Sequence, residues 1–282
     1  MRRFRYVVAD VFTDTPLEGN QLAVFTDARD LDPLTMQALA KEMNFAETVF
    51  VLPPRVEDAD VRIRIFTPAT ELPFAGHPTL GSAFVLGGPL QKIVLRIETD
   101  GGVVPVELER EGARIGFGWM EQPIPVWEPY AQAAELLDVL GIEAFGLPVE
   151  IYPIGPSHVL VELESPEQLA SLAPDFGALA RLTTASAYCF ARTEGGWKCR
   201  VFVPAHGINE DAATGSGAGP LAVHLARHGR TAFGEEIEIF QGAEIGRPSK
   251  LYARADGMAD RIERVLVGGS AVTVARGEFS VP

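Results

Sequence analysis

The chain has 282 residues, of which 47% are hydrophobic and 22% are charged, and its net charge at pH 7 is −14. These proportions are ordinary for a globular protein and exclude a disordered or collagen-like chain. The acidic balance argues against nucleic acid or an anionic membrane surface as a partner, because both attract basic patches. The first residues lack the apolar stretch of a signal peptide, and no run approaches 18 apolar residues. We therefore predict a cytoplasmic protein with no membrane span.

Metal and disulfide chemistry have little support in the sequence. The two cysteines, Cys189 and Cys199, are too few for a disulfide framework and lack the spacing of a zinc site. His224 and His228 lie one helical turn apart, but the HExxH motif is absent. We predict no metal, interpret the two histidines as half-exposed helical residues and place both cysteines in buried strands.

The first third of the chain predicts strands with one helix among them. Segments rich in β-branched and aromatic residues lie, in chain order, at 6–12, 22–25, 47–52 and 61–66. Between the second and third of these strands, Asp32 and Pro33 are typical of the first positions of a helix. Apolar and basic residues alternate in the last strand, which predicts that one of its faces is exposed. A loop containing Gly76 then leads into an apolar helix.

An internal repeat is the main organising feature. The sequence RIFTPA at 64–69 recurs as RVFVPA at 200–205, and an acidic loop, glycines and an apolar helix follow both copies. A repeat of this length predicts two similar domains. With three prolines at 122–129 taken as the hinge, we predict a first domain at 1–125, to which a C-terminal strand at 266–282 returns, and a second at 126–265. Strands dominate both halves, which predicts an α+β fold.

Glycine-rich segments precede both apolar helices, at 76–78 and 214–217. Glycine allows the backbone to approach a ligand closely, and the N–H groups of a helix N-terminus favour an anion. If the two helix ends faced each other across a cleft between the domains, they would bind a carboxylate and stabilise an enolate-type charge. The alternative is that both are ordinary glycine-rich helix starts.

Two carboxylates are candidates for chemistry. Glu47 lies between Phe45 and an apolar strand, where desolvation could raise its pKa and suit it to general acid–base catalysis; the alternative is an exposed glutamate at a strand start. Asp211 begins the second glycine loop and by itself would be a favourable charge near a helix N-terminus. The GxGxxG, GxxxxGK[ST] and GxSxG motifs are absent. A hydrolytic triad of Ser216, His77 and Asp211 rests on no motif.

Several short motifs occur in one order along the chain: GNQLAV at 19–24, NFAETVF at 44–50, TPATELPFAGHPTLG at 67–81, EDAATGS at 210–216, QG at 241–242 and GRPS at 246–249. In these motifs the chain resembles the PhzF-like (phenazine biosynthesis-like) family, which has the diaminopimelate epimerase-like fold. Gln21 and Ala212 stand where the family pattern has proline. The motifs span most of the chain.

The resemblance implies two pseudo-symmetric halves, each a β-sheet wrapped around a central helix, with an active site between them. It also implies a homodimer and a cofactor-independent isomerase that shifts a proton within a small carboxylate, as in trans-2,3-dihydro-3-hydroxyanthranilate isomerase. The related two-thiol racemase chemistry is disfavoured, because neither cysteine lies in a glycine loop.

The same resemblance implies site residues. Glu47 would be the proton-transferring acid–base, while His77 and Asp211 would position the substrate and assist the proton relay. The predicted substrate-binding residues are Gly76, Gly215, Ser216 and Asn20. The alternative function is a non-catalytic small-carboxylate binding protein on the same scaffold. Glu47 separates the two, because a carboxylate beside an anion site would weaken binding in a protein that only binds.

Overall fold

The structure, a computed structural model, describes residues 1–112, 114–143 and 146–281. The chain forms two compact units, one of Met1–Glu121 with Gly268–Pro282 and the other of Gln122–Val267. The first unit contains, in chain order, β1 (Arg2–Val11), β2 (Asn20–Phe25), α1 (Pro33–Met43), β3 (Glu47–Leu52), β4 (Val61–Phe66), β5 (Glu71–Leu72), α2 (Gly76–Leu90), β6 (Val94–Thr99), β7 (Gly102–Glu111) and β8 (Arg114–Gln122).

The remaining elements follow in chain order: β9 (Glu128–Pro129), α3 (Ala133–Leu140), β10 (Glu150–Pro153), β11 (Ser157–Glu162), α4 (Pro166–Ala170), α5 (Phe176–Leu182), β12 (Ser186–Thr193), β13 (Gly196–Val203), β14 (Ile208–Asp211), α6 (Gly215–Arg227), β15 (Glu236–Gln241), β16 (Ser249–Met258), β17 (Arg261–Gly269) and β18 (Ala271–Val281). The last of these strands pairs with β1 in the first unit. Among the helices of the described ranges, none has the length and apolar character needed to span a membrane.

In the first unit, the strands form a mixed sheet beside α2. Strand β2 is antiparallel to β1 and parallel to β3; β3 is antiparallel to β4, β4 parallel to β6, and β6 antiparallel to β7. Helix α2 packs against several of these strands, and its first eight residues are buried. The packing is close: a Cβ at Gly81 would lie 2.6 Å from Val11 and 2.7 Å from Leu22.

The second unit repeats this order of pairings. Strand β11 is antiparallel to β10 and parallel to β12; β12 is antiparallel to β13, β13 parallel to β15, and β15 antiparallel to β16. Helix α6 takes the place of α2, and every residue from Gly215 to Ala226 is buried. The predicted α+β fold, in which each half is a sheet around a central helix, is confirmed.

Matching ion pairs align the two copies of the internal repeat, which begin at Arg64 and Arg200. The Arg64 guanidinium lies 2.6 Å from the Glu71 carboxylate, and that of Arg200 lies 2.7 Å from Glu210. Each guanidinium also lies over the phenylalanine two residues further along, at 5.1 and 5.0 Å from the ring centroid. These contacts place β4 and β5 in correspondence with β13 and β14, which is the correspondence that the repeat predicts.

Local signals and structure agree at the start of α1 and differ in β4. The Asp32 carboxylate accepts hydrogen bonds from the N–H groups of Leu34 and Thr35, as an N-cap does. The prediction that β4 exposes one face is wrong. Its Arg62 is only 6% exposed and lies 3.2 Å from a carboxylate oxygen of Asp100, which strand periodicity cannot reveal because the partner is distant in sequence.

Candidate active site

Three of the predicted site residues come together in the first unit. Glu47 is the first residue of β3, and its side chain is 16% exposed. His77 lies in the first turn of α2, with its Nε2 atom 3.4 Å from Oε2 of Glu47. Asn20, the first residue of β2, places its Nδ2 atom 3.3 Å from Nδ1 of His77. A carboxylate, an imidazole and an amide therefore meet where two strands and a helix begin.

His77 is neutral at ordinary pH. Burial lowers the pKa of its imidazole to about 3, and a hydrogen bond with the Gln21 backbone only partly opposes that shift. A charged imidazole would have to give up its hydration without full compensation, which is the physical reason for the direction. The Glu47 carboxylate consequently has a polar but uncharged neighbour in His77.

Both central helices begin with a glycine, and in both the N-cap residue itself supplies no capping side chain. Helix α2 begins at Gly76 after Ala75, and α6 begins at Gly215 after Thr214; neither Ala75 nor Thr214 forms a side-chain cap hydrogen bond. The first N–H groups of a helix are left without helical acceptors and carry a partial positive charge. Gly76 and Gly215 were predicted in loops before the helices, whereas the structure places them inside the first turns.

Asp211 is held by a hydrogen-bond network in the second unit. Its Oδ2 atom accepts from Oγ1 of Thr214 at 2.7 Å. Gln241 donates through Nε2 to the Asp211 carbonyl at 2.8 Å and to Thr214 Oγ1 at 2.9 Å, and its Oε1 accepts from the Thr214 N–H at 2.9 Å. Gln241 was noted in the sequence only as part of a motif, and its contacts with positions 211 and 214 could not be read from spacing.

Ser216 contacts a histidine that the sequence did not single out as a site residue. Its Oγ atom lies 3.1 Å from Nε2 of His158, whose Nδ1 atom lies 2.5 Å from Oγ of Ser186. Ser186 in turn donates to the carbonyl of Ser157 at 3.0 Å. Ser216 is predicted to bind substrate through its N–H group, and its side chain is one end of a buried hydrogen-bonded chain.

The repeat relates these two groups of residues. Arg64 pairs with Phe50 across β4 and β3, and Arg200 pairs with Cys189 across β13 and β12. Counting three residues back along β3 and β12 makes Ser186 the counterpart of Glu47. The helix starts at Gly76 and Gly215 likewise make Ser216 the counterpart of His77. One copy therefore has a glutamate beside a histidine, and the other has serines at both positions.

Of the two helical histidines, His228 is partly exposed, as predicted, whereas His224 differs from the prediction because it is fully buried. His224, His228 and Glu150 offer atoms within 4.8 Å of one another, which is a metal-like arrangement. However, the same Glu150 oxygen lies 2.7 Å from Arg227 and 2.8 Å from the Tyr152 hydroxyl. A guanidinium at this distance would repel a divalent cation, so the donor set fits a hydrogen-bonded cluster rather than a metal centre.

Both cysteines are buried strand residues, as predicted. Burial raises the pKa of the Cys199 thiol to about 12, and it raises that of Cys189 still further. Because the thiolate is the reactive form, neither sulfur is suited to accept a proton from carbon at neutral pH.

Comparison with known proteins assigns the family. The family model described as phenazine biosynthesis-like protein matches residues 9–277. A trans-2,3-dihydro-3-hydroxyanthranilate isomerase of Pseudomonas aeruginosa is 50% identical over 273 residues, which cover 97% of this chain and 98% of that protein. A phenazine biosynthesis protein of the PhzF family from Bacillus anthracis superposes with a TM-score of 0.85 at 27% identity, with full coverage of both chains.

The fold extends beyond close relatives. A probable proline racemase from Agrobacterium radiobacter superposes with a TM-score of 0.69 at 14% identity, over 99% of this chain and 93% of that one. The predicted epimerase-like fold and the predicted family are both confirmed. The chain belongs to the phenazine biosynthesis-like (PhzF-like) family, and its relatives from Pseudomonas aeruginosa and Pseudomonas fluorescens, which are 50% and 51% identical to it, are named as isomerases.

Proposed function

We propose that this chain is a cofactor-independent isomerase of trans-2,3-dihydro-3-hydroxyanthranilate, or of a closely similar small carboxylate, with Glu47 as its general acid–base. The observation that carries the proposal is the Glu47–His77 pair, in a chain that is half identical over nearly its whole length to isomerases of that name. The pair puts a partly exposed carboxylate next to a buried neutral imidazole, which suits proton transfer.

The proposed reaction moves one proton and leaves the oxidation level unchanged. The Glu47 carboxylate takes a proton from a substrate carbon, and the electron pair of that C–H bond enters the conjugated system. The carboxylic acid so formed then returns the proton to another carbon on the same face, and the double bonds shift. No electron acceptor or donor takes part, so the proposal includes no cofactor.

The other residues stabilise and position the substrate in this proposal. N–H groups at Gly76, Gly215 and Ser216 bind the carboxylate and the negative charge that develops on the conjugated system. His77, Asn20 and Asp211 orient the substrate, and His77 and Asp211 also assist the proton relay. The starts of α2 and α6 support this assignment, because neither N-cap residue, Ala75 or Thr214, offers its side chain as an acceptor to the first N–H groups of its helix.

The first test is Glu47→Gln, which keeps the shape of the side chain and removes its basicity. We expect its kcat on trans-2,3-dihydro-3-hydroxyanthranilate to fall by about 10²- to 10⁴-fold, the usual contribution of a general acid–base. Turnover and incorporation of deuterium from D₂O are followed by NMR. Glu42→Gln, at an exposed glutamate of α1, is the matched control and should retain wild-type rates.

Two results would contradict the proposal. Full turnover by Glu47→Gln would remove Glu47 from the acid–base role. Tight binding of the substrate by the wild-type protein in calorimetry, without turnover or deuterium exchange, would favour a binding protein on the same scaffold.

The proposal also covers the setting in which the chain works. We propose that it acts as a homodimer, as the family resemblance implies, and in the cytoplasm, as the composition and the first residues of the sequence predict. Its proposed binding partner is the small carboxylate substrate.

A further inference from the structure

A buried chain of three side chains lies at the start of α6. It runs from the Ser157 carbonyl through Ser186 and His158 to Ser216, with successive distances of 3.0, 2.5 and 3.1 Å. His158 is 1% exposed, Ser186 is 3% exposed and Ser216 is 6% exposed. The mechanism proposed above uses the N–H of Ser216 but gives no role to this chain.

The number of hydrogens fixes the direction of every bond. The Ser157 carbonyl can only accept, so the Ser186 hydroxyl gives its one hydrogen to that carbonyl. The contact between Ser186 and Nδ1 of His158 then needs a hydrogen on Nδ1. A neutral imidazole has one N–H, which leaves Nε2 as an acceptor. The hydrogen in the last contact must therefore come from the Ser216 hydroxyl.

The assignment of hydrogens assumes a neutral His158 imidazole, and the surroundings of His158 favour that form. Burial lowers the pKa of His158 to about 3, because the charged form would lose its hydration. A charged ring would instead donate to Ser216 and release its hydroxyl hydrogen for a ligand. The two charge states thus give Ser216 opposite hydrogen-bonding characters, and the buried site selects one of them.

We infer that His158 is a positioning residue that holds the Ser216 hydroxyl as a hydrogen-bond acceptor toward a bound ligand. This inference rests on the proposed function insofar as Ser216 belongs to the substrate site. The hydroxyl then selects an N–H or O–H group of the ligand, such as the amino or hydroxyl group of an amino-hydroxy acid. A ligand carboxylate would meet the lone pairs of Ser216 Oγ, so it must be bound by backbone N–H groups instead.

The repeat gives a reason for the histidine. Ser186 occupies the position of Glu47 in the other copy, and it lies directly opposite His158 in the parallel pair of β11 and β12. Where the first copy has a carboxylate, the second has a hydroxyl whose only hydrogen is used by a carbonyl. The imidazole links that hydroxyl to the start of the central helix.

The first experiment measures where the hydrogen is, on the full-length protein labelled with ¹⁵N. Long-range ¹H–¹⁵N NMR spectra distinguish the two neutral forms of histidine and the charged form, and His158→Gln assigns the signal. We expect one neutral form with the hydrogen on Nδ1 throughout pH 5–8. A hydrogen on Nε2, or titration of His158 within that range, would overturn the inference.

The second experiment separates positioning from a merely structural role. His158→Leu removes the acceptor for Ser216, whereas in His158→Gln the amide oxygen can accept in place of Nε2. With trans-2,3-dihydro-3-hydroxyanthranilate, we expect His158→Leu to raise KM about tenfold with a smaller change in kcat, and His158→Gln to restore much of the affinity. In a Ser216→Ala background the leucine substitution should have little further effect on KM.

Thermal unfolding of each variant is measured alongside its kinetics, to show whether the substitution destabilises the fold. An equal rise in KM with and without the Ser216 hydroxyl would show that His158 acts only through the fold, and would overturn the inference. If the wild-type protein does not turn over this substrate, the proposed function fails by itself. The NMR measurement needs no substrate, and it then decides the inference on the hydrogen positions alone.

Discussion

At the scale of single residues, the absence of charge on His77 affects the chemistry proposed for Glu47. The imidazole 3.4 Å from Glu47 is neutral, because burial lowers its pKa to about 3. A charged histidine there would stabilise the carboxylate form and make Glu47 a weaker base. The proposed acid–base cycle needs Glu47 to hold and release a proton, and a neutral His77 adds no such stabilisation of the carboxylate form.

Gln241 is the residue for which we expect the largest effect outside the predicted site. Gln241→Glu keeps an acceptor for the Thr214 N–H but loses the donor to the Asp211 carbonyl, and it adds a negative charge near Asp211. We expect kcat/KM to fall by about 10- to 100-fold, because Asp211 loses the hydrogen bond to its carbonyl and gains a negatively charged neighbour.

Gln132→Glu makes the same chemical change at an exposed position and serves as the control for added charge. Steady-state kinetics of the two variants, with circular dichroism to check folding, provide the measurement. Equal rates in Gln241→Glu and wild type would remove Asp211 and its network from the proposed catalytic machinery.

At the scale of elements, the glycines of the two central helices have different tasks. A Cβ at Gly217 would lie 2.5 Å from the ring of the buried Tyr188, whereas a Cβ at Gly88 meets no atom within 4 Å. We expect Gly217→Ala to destabilise the protein by about 1–3 kcal/mol through overpacking. Gly88→Ala should stabilise it by roughly 0.5–1 kcal/mol, because alanine favours the helical backbone.

Chemical denaturation of both variants measures these changes. The pair is informative because both substitutions are glycine to alanine within a central helix. A stabilising Gly217→Ala would mean that α6 can move away from β12, contrary to the close packing described above.

The bounds of strands and helices were easier to predict from the sequence than the side-chain contacts between residues distant in the sequence. The bounds of β3 and β4 and the N-cap of α1 follow from local composition, and the predicted segments coincide with these elements. The burial of Arg62 and His224 was missed, because each is stabilised by groups distant in the sequence. His158 has no local signal at all: its contacts with Ser186 and Ser216 form only when two strands and a helix come together.

At the scale of the whole molecule, buried neutral histidines couple stability to pH. Burial lowers the pKa of both His77 and His158 from 6.5 to about 3. The unfolded chain therefore binds more protons than the folded chain between these values, and stability falls as pH falls below 6.5. Each such histidine contributes about 1.4 kcal/mol per pH unit to this slope.

Urea unfolding between pH 6.5 and 5 tests the coupling. We expect the free energy of unfolding of His158→Gln to depend less steeply on pH than that of the wild type, by up to about 1.4 kcal/mol per pH unit at the acid end of this range. His206→Gln removes an exposed histidine and serves as the control for the substitution itself. If the free energy of unfolding of His158→Gln depended on pH as steeply as that of the wild type, the His158 ring of the wild-type protein would be charged in the folded state.

The pairing of Ser186 with His158 also bears on how the two copies diverged. A glutamate at position 186 would restore the residue type found at the equivalent position of the first copy. It would also bring a carboxylate against an imidazole that is 1% exposed, in place of a hydroxyl that satisfies it. A single Ser186→Glu substitution would therefore not reproduce the Glu47 site in the second copy. At this position the two copies of the repeat cannot be interchanged one residue at a time, because His158 depends on the hydroxyl opposite it.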